Sequence, residues 1–313
     1  MKQGRSSVPS STYGQERMLS LNAPGEYERF LQDGQLRPRL ARAVYLAGVS
    51  AGQWLLDLGC GRGEVAAYCA REGGRVLALD YSADCLGLTA WAARQVEAGP
   101  SGRVMPVQGD TKGLPVRANS VSRVLLLDVV EHLYPWELDL ALAEAYRVLR
   151  PGGYLVIHTL PNRWALEIGY PLARFFIRRL PADPRSEIEQ AIHVNEQDIL
   201  GLHRALSRVG FTPRVWLEDS ILAQARWQRG GKALLGSDHR ASVYRLLGNP
   251  FLRAFYRLLL ASPLRIILAN DIYAVGVKGP VPSGKQWGGW MERLLAAALP
   301  AQEGAGKRGD GKP

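Results

Sequence analysis

The 313-residue sequence has only three cysteines and no long uncharged apolar run. Cys60, Cys69 and Cys85 lack metal-ligand or C-x-x-C spacing, which indicates reduced thiols in a cytoplasmic protein. The first twenty residues contain no apolar segment, so we expect no secretory signal. No stretch of about 18 uncharged apolar residues occurs, so we expect no membrane-spanning helix. Internal repeats and C-x-x-C pairs are both absent.

Acidic residues are fewer than basic ones, 29 against 39, and the formal net charge is +10. The hydrophobic content of 47% and charged content of 22% are typical of a globular protein with an ample core. A basic balance favours acidic partners such as nucleic acid or an anionic membrane surface, but does not by itself choose between them.

Short apolar strands alternate with helices through most of the chain. This rhythm predicts an α/β fold: a Rossmann-like, seven-stranded, mostly parallel sheet with helices on both faces. Helical insertions at 161–193 and 220–270 interrupt it and are expected to form a lid. The predicted organisation is a loose N-terminal tail followed by helices (1–49), a core (50–219), a basic amphipathic helical insertion (220–270), a final core strand (271–279) and a C-terminal helix with a flexible tail (280–313).

Three glycines and an aspartate follow the first predicted strand, in "LLDLGCGRGEV". Glycine is worth its conformational cost where backbone turns sharply or approaches a ligand closely. The dinucleotide fingerprint G-x-G-x-x-G, begun at Gly59, requires glycine where Glu64 stands. The actual pattern, D-x-G-x-G-x-G from Asp57 to Gly63, places a carboxylate beside the loop, which suits a ligand carrying an ammonium group and a positive sulfonium.

Two further carboxylates end neighbouring strands. Asp80 can accept both hydroxyls of a ribose, which indicates a nucleoside without specifying which one. Asp110 can accept an adenine amino group. Ligands of open α/β sheets bind at this carboxyl edge, so these side chains are expected to meet at one site. Each aspartate could instead serve only as a turn or helix cap.

Five motifs occur in order: "LLDLGCGRGE", "LALDYS", "VQGDTKGLP", "VLLLDVVEHL" and "VLRPGGYLVIHTLPN". Together they resemble the ordered motifs of class I S-adenosylmethionine-dependent methyltransferases, over about residues 50–220. The resemblance implies the cofactor S-adenosyl-L-methionine and a set of cofactor-binding residues. The methionine end would be held by Asp57, Gly59, Cys60, Gly61 and Gly63, the ribose by Asp80 with Tyr81, and the adenine by Asp110 with Thr111, while Asp128 would border the methionine or the substrate.

Methyl transfer needs an acceptor held in line with the S–CH₃ bond, and a base where the acceptor must lose a proton. His132, its neighbour Glu131, and His193 are the catalytic candidates. Glu131 and His132 could instead cap a helix or pair with arginines. Some quinone-ring methyltransferases carry an E-x-x-E-H metal-binding set here; Asp128-x-x-Glu131-His132 matches it only in part, and we predict no metal. His158 is interpreted as a satisfied core residue.

The two insertions are aromatic, leucine-rich and basic, and between residues 221 and 268 the only acidic residue is Asp238. Such a segment is typical of a helix packed over an apolar pocket or of a membrane-surface helix. Basic residues set among bulky aliphatics argue against nucleic acid. We therefore predict a cytoplasmic methyltransferase acting on a small, apolar molecule (a quinone, isoprenoid, lipid or secondary metabolite), with 220–270 either packing as a lid over the pocket or making a peripheral membrane contact. The alternatives are an RNA or protein methyltransferase and a non-catalytic cofactor-binding protein; the oligomeric state stays open.

Overall fold

A computed structural model describes residues 7–20, 26–178, 180–224 and 248–281. The predicted C-terminal helix and tail, apart from residues 280 and 281, and the segment 225–247 of the basic insertion lie outside these ranges. None of the helices in the described ranges is both long and apolar enough to cross a membrane.

Seven strands form one sheet in the order β3-β2-β1-β4-β5-β7-β6. The strands are β1 Trp54–Leu58, β2 Arg75–Asp80, β3 Arg103–Gln108, β4 Val121–Leu127, β5 Leu149–Thr159, β6 Thr212–Glu218 and β7 Asp271–Val277. Only β7 is antiparallel to its neighbours. The predicted mostly parallel sheet is confirmed, and its order reverses between β1 and β4, where ligands of such sheets bind.

Helices cover both faces of the sheet. They are α1 Gln15–Ser20, α2 Glu26–Asp33, α3 Pro38–Ala47, α4 Glu64–Arg71, α5 Ala83–Gln95, α6 Pro135–Val148, α7 Tyr170–Phe176, α8 Glu187–Ile192, α9 Ile199–Val209, α10 Pro250–Ala261 and α11 Arg265–Leu268. Short turns of 3-10 helix at Ser10–Tyr13 and Val130–His132 and a π-helical turn at Ala165–Gly169 complete the described elements.

Each strand divides its side chains between two apolar cores. Leu55 and Leu125 face α3, α4 and α5, whereas Leu56 and Leu126 face α6 and α9. Successive side chains of a strand point to opposite faces, so a strand buried on both sides must be apolar almost throughout. This explains why the core strands appear in the sequence as continuous apolar runs.

Two element boundaries differ from the sequence-based prediction. The segment "YPWELDLALAEAYRVLRPGG" predicts a helix ended by Pro-Gly-Gly, but α6 ends at Val148, because Leu149 already pairs with Val121 at the start of β5. The segment "NEQDILGLHRALSRVG" predicts a helix that Asn195 could cap, but α9 begins at Ile199, since the Asp198 side chain accepts a hydrogen bond from the Gly201 N–H and caps it.

The expectation of a loose N-terminal tail is wrong for residues 7–20. The Tyr81 hydroxyl donates to the Val8 carbonyl at 3.1 Å, and the Ser82 hydroxyl donates to the Tyr13 carbonyl at 3.0 Å. These bonds join the segment to the end of β2, so polar composition alone misrepresents it.

Candidate active site

A cavity of about 270 Å³ opens at the carboxyl ends of β1 to β4. Of the thirteen predicted site residues, twelve line it: Asp57, Gly59, Cys60, Gly61, Asp80, Tyr81, Asp110, Thr111, Asp128, Glu131, His132 and His193. Gly63 is outside the lining set. It precedes α4 with φ +81°, and a Cβ there would lie 2.5 Å from the Thr89 Cα. Gly63 therefore allows close packing of α4 on α5 behind the loop.

The loop after β1 requires glycine at the cavity wall. Gly59 and Gly61 have φ of +72° and +53°, a region that L side chains rarely adopt. A Cβ on Gly59 would also lie 2.6 Å from the Val129 Cγ2. The loop thus packs directly on the segment that follows β4.

Asp57 lines the cavity, and one of its carboxylate oxygens has no hydrogen-bond partner within the described residues. Its side chain is buried, and the oxygen in question is Oδ2. Burial, and secondarily the nearby Asp80, raises the pKa of Asp57 to about 7. A buried polar atom of this kind calls for a ligand donor, and the ammonium group of a bound amino acid would supply one.

Asp80 and Asp110 lie along the neighbouring strand ends. The carboxylate of Asp80 accepts from the Gly61 N–H at 3.0 Å and the Ser82 N–H at 2.9 Å, which fixes its orientation. Burial raises the pKa of Asp80, although these backbone donors oppose the shift. Asp110 pairs with Lys112 Nζ at 2.7 Å. Both carboxylates keep further lone pairs that ribose or adenine groups could use.

Asp128 follows β4 in a left-handed conformation, φ +56°. Its Oδ2 accepts from Arg39 Nε at 3.0 Å, and its Oδ1 is bonded to His158 Nδ1. Burial alone would raise the pKa of Asp128, but the adjacent Arg39 and His158 hold it well below its ordinary value. Asp128 is therefore an oriented, ionised carboxylate in the cavity wall.

The three catalytic candidates meet at the other end of the cavity. Glu131, His132 and His193 each offer one ligand atom, and those atoms lie within 4.8 Å of one another. The His132 and His193 rings contact edge to face with centroids 5.0 Å apart. Such a set could hold a divalent metal ion, or could exchange protons with an acceptor.

Burial determines the protonation of this cluster. It raises the pKa of Glu131 to about 8, helped by Asp128, and lowers the pKa of His132. Burial and the neighbouring His132 lower the pKa of His193 to about 4. All three groups are thus uncharged near neutral pH.

Several cavity residues were not singled out from the sequence. Arg37, the N-cap of α3, and Arg39, in its first turn, line the cavity, and so does Met18 of α1. The "RPR" at the start of this helix carried a weak signal, since two arginines near an acidic pocket can pair with its carboxylates. Tyr13, from the N-terminal segment, also lines the cavity. Tyr27 lies outside the lining set and donates to the Arg62 carbonyl at 3.1 Å.

Comparison with known proteins agrees with this geometry. The sequence model of the family described as "Methyltransferase domain" matches residues 56–157. A malonyl-[acyl-carrier protein] O-methyltransferase of Pectobacterium atrosepticum is 30% identical over 224 residues, covering 65% of this chain and 82% of that protein. A demethylmenaquinone methyltransferase of Thermobifida fusca is 32% identical over 193 residues, covering 58% of this chain and 78% of that protein.

Other matches are partial or structural. A Mycolicibacterium smegmatis protein named as an S-adenosylmethionine-dependent methyltransferase is 35% identical over 159 residues, half of this chain, and the chain spans only 58% of its length. Phosphoethanolamine N-methyltransferase 2 of Haemonchus contortus, solved with S-adenosyl-L-methionine, superposes with a TM-score of 0.52 at 18% identity, covering 87% of this chain and 58% of that one. That likeness concerns the fold alone.

The ordered motifs, the glycine loop beside the unbonded carboxylate oxygen of Asp57, and relatives of which the chain covers more than two thirds agree with one another. The chain belongs to the class I S-adenosylmethionine-dependent methyltransferases, and S-adenosylmethionine is its cofactor.

Proposed function

We propose that this methyltransferase transfers the methyl group to an oxygen, nitrogen or carbon atom of a small, apolar molecule such as a quinone, isoprenoid, lipid or secondary metabolite. Asp57 and the loop glycines would hold the methionine end of the cofactor, Asp80 with Tyr81 the ribose, and Asp110 with Thr111 the adenine. His132 would accept the proton that the acceptor loses.

The observation that carries the proposal is the orientation of His132. Its Nδ1 lies 3.2 Å from the Ile192 carbonyl, which can only accept, so Nδ1 carries the proton and Nε2 keeps a lone pair. With its pKa lowered by burial, the ring is neutral and can act as a base near neutral pH. Glu131, protonated and bonded to the Thr159 hydroxyl at 2.7 Å, and His193 would orient the acceptor beside it.

A hydroxyl acceptor would pass its proton to His132 Nε2 while its oxygen attacks the methyl carbon in line with the C–S bond. Bound S-adenosylmethionine would supply this electrophilic methyl group: the C–O bond would form as the C–S bond breaks, and the electron pair would stay on sulfur. Positioning supplies most of the acceleration, because a sulfonium methyl is already electrophilic.

Apolar side chains near these groups support a small, apolar acceptor. Leu133, Leu160 and Ile192 line the cavity, and the cluster beside them carries no net charge near neutral pH. The names of two well-covered relatives refer to malonyl-[acyl-carrier protein] and to demethylmenaquinone. Both names fit methyl transfer to a metabolite.

The test is a methyl-transfer assay with radiolabelled S-adenosylmethionine and four acceptor pools: prenylated phenols and quinols, fatty acids, total RNA and total protein. Label should enter the organic-extractable pool. His132→Asn places an amide donor where Nδ1 lies and so can keep the bond to the Ile192 carbonyl, but it supplies no base, so the rate should fall about a hundredfold or more. Its affinity for S-adenosylhomocysteine should stay within about twofold. Asp80→Ala, in contrast, should abolish cofactor binding.

Other outcomes separate the alternatives. Label confined to RNA or protein would refute the small-molecule assignment. Tight cofactor binding with no transfer to any pool would favour a non-catalytic protein. Loss of activity on treatment with a chelator, restored by a divalent cation, would assign Glu131, His132 and His193 to a metal instead of to proton transfer.

A cytoplasmic location with peripheral membrane contact through 220–270 is the second part of the proposal. Of that range, α10 supports it. Phe251, Phe255 and Leu258 recur at helical spacing and are 83%, 58% and 67% exposed, and α10 has no buried residue. Between 249 and 269 the chain carries three arginines and no acid. Apolar side chains among arginines suit an anionic bilayer surface.

Vesicle co-sedimentation tests this contact. The full chain should bind phosphatidylglycerol-containing vesicles and bind pure phosphatidylcholine vesicles several-fold more weakly. Replacing Phe251 and Phe255 by serine should remove most of the binding, whereas Leu140→Ser on the exposed face of α6 should not. The proposal would be contradicted if the Phe251/Phe255 variant and the Leu140 variant bound vesicles equally well. It would also be contradicted if the exposed face of α10 formed a dimer of this chain and did not bind vesicles.

A further inference from the structure

His158 lies at the centre of a buried chain of charged groups that the proposed chemistry does not use. The residue sits in β5 and is fully buried. Its Nδ1 is bonded to Asp128 Oδ1, and its Nε2 lies 2.9 Å from Asp271 Oδ1. A ring nitrogen without a proton would repel a carboxylate oxygen, so both nitrogens carry protons and the ring is an imidazolium. Burial lowers the pKa of His158, but the two carboxylates overcome this and raise it to about 9.

At one end, this series of bonded charged groups reaches the cofactor cavity. Asp128 is held between His158 and Arg39, whose Nη2 lies 2.9 Å from Oδ2. Its left-handed backbone leads directly to Val129, which packs on Gly59 of the cofactor loop. Asp128 and the loop stand at β4 and β1, whereas Asp80 and Asp110 stand at β2 and β3. Asp128 therefore belongs to the half of the cavity away from the ribose and adenine side chains.

At the other end, the series of bonded groups reaches the helical insertion. Asp271 Oδ2 accepts from the Ser220 N–H at 2.8 Å, and the Ser220 hydroxyl donates to Oδ1 at 3.1 Å. The preceding residue, Asp219, accepts from the hydroxyl of Tyr256 in α10 at 2.8 Å. Side-chain bonds and one peptide link thus run from α10 through Ser220, Asp271 and His158 to Asp128.

Stability alone is a weak reason for such an arrangement. Burying an ion pair costs about as much desolvation free energy as the pairing returns, and apolar residues of similar shape often serve as well. The three residues before it in β5, Leu155, Val156 and Ile157, are apolar, so an apolar side chain at 158 would continue that run. A role that depends on the charges explains their presence better.

We propose that His158 is a positioning residue. It fixes the Asp128 carboxylate at the methionine end of the cofactor cavity and links that carboxylate to the Ser220 turn from which the helical insertion starts. A shift of α10 would therefore move the Asp128 carboxylate, beside which the amino-acid part of the cofactor would bind. This role rests on the cofactor placement proposed above and holds for any acceptor.

Calorimetry with two ligands tests the role. S-adenosylhomocysteine carries the amino-acid end, and 5′-methylthioadenosine lacks it. In His158→Phe the affinity for S-adenosylhomocysteine should fall about tenfold, as expected when a charged hydrogen bond is lost, while the affinity for 5′-methylthioadenosine stays unchanged. Equal weakening for both ligands, or none for either, would mean a merely structural role and overturn the proposal.

The link to the insertion is tested with Ser220→Ala and Tyr256→Phe, whose side chains are outside the cavity lining. Each should weaken S-adenosylhomocysteine binding about threefold, leave 5′-methylthioadenosine unaffected, and add nothing in the His158→Phe background. Tyr170→Phe removes a hydroxyl that donates to the Pro181 carbonyl in the other insertion, and serves as the matched control. Additive effects would contradict the link. If His158→Phe does not fold, the ligand split in the two single variants decides.

Discussion

At the scale of single residues, the cavity is organised around the ionisation of its carboxylates. Asp128 is kept ionised by Arg39 and His158, whereas Asp57 has no cationic partner within the described residues and holds its proton up to about pH 7. In the placement that we propose, the cofactor ammonium group would supply the charge that Asp57 lacks. Cofactor binding would then be coupled to the deprotonation of this side chain.

Asp57 should make cofactor affinity depend on pH. The ionised carboxylate is the form that binds an ammonium group, so S-adenosylhomocysteine affinity should rise several-fold between about pH 6 and pH 7.5. Asp57→Asn should bind more weakly and lose most of this dependence. Calorimetry at several pH values measures both. A wild-type affinity that is flat with pH would show that Asp57 is already ionised in the free protein.

The same shift has a consequence for the cofactor-free protein. The unfolded chain releases the Asp57 proton near pH 4 and the folded chain near pH 7. Titration of Asp57 therefore lowers the free energy of unfolding as the pH rises from about 4 to about 7. Above that window its contribution is constant. Cofactor binding should remove this penalty.

At the scale of elements, short segments outside the sheet complete the cluster of Glu131, His132 and His193. The helix α8 has only six residues and is held by a capping box, in which Ser186 and Glu189 bond each other's backbone N–H groups. Its last residue, Ile192, provides the carbonyl that orients His132, and His193 follows directly. A local cap thus supports the geometry of the cluster.

Ser186→Ala should loosen this helix without unfolding the protein. Losing the cap costs about 1 kcal/mol locally, so the amide protons of Glu189, Gln190 and His193 should exchange about fivefold faster by hydrogen-exchange mass spectrometry. Global melting should be almost unchanged. Ser50→Ala, at the opposite edge of the sheet, is the control. Unchanged exchange would mean that α8 is held by its tertiary contacts alone.

At the scale of the whole molecule, the two-sided sheet carries the stability. Leu142 is fully buried in the core formed with α6 and α9, while Leu140, two residues earlier on the same helix, is 45% exposed. Leucines of equal size on one helix therefore have very different surroundings. This follows from which face of α6 meets the sheet.

Leu142→Ala should lower the free energy of unfolding by about 2 to 5 kcal/mol, because it removes transfer free energy and leaves a cavity. Leu140→Ala should change it by less than about 0.5 kcal/mol. Urea unfolding followed by circular dichroism measures both values. Similar losses for the two variants would refute this orientation of α6.

The sequence alone determined the seven strands and most of the helices between them, and its ordered motifs indicated the cofactor through their resemblance to a known family. Each of these depends on local information: apolar runs, turn residues, and motifs whose members lie within a few positions of one another. The resemblance also implied most of the twelve predicted residues that line the cavity, and those that follow strands meet there because the carboxyl ends of parallel strands lie at one edge.

Tertiary structure decided the rest. His158 could be interpreted from the sequence only as a core residue, since Asp128 and Asp271 are 30 and 113 positions away. The placement of residues 7–20 and of Arg39 likewise depends on contacts between distant segments. Ionisation is decided in the same way: a carboxyl group deprotonates according to the burial and the charges around it in the folded chain, which no local pattern specifies.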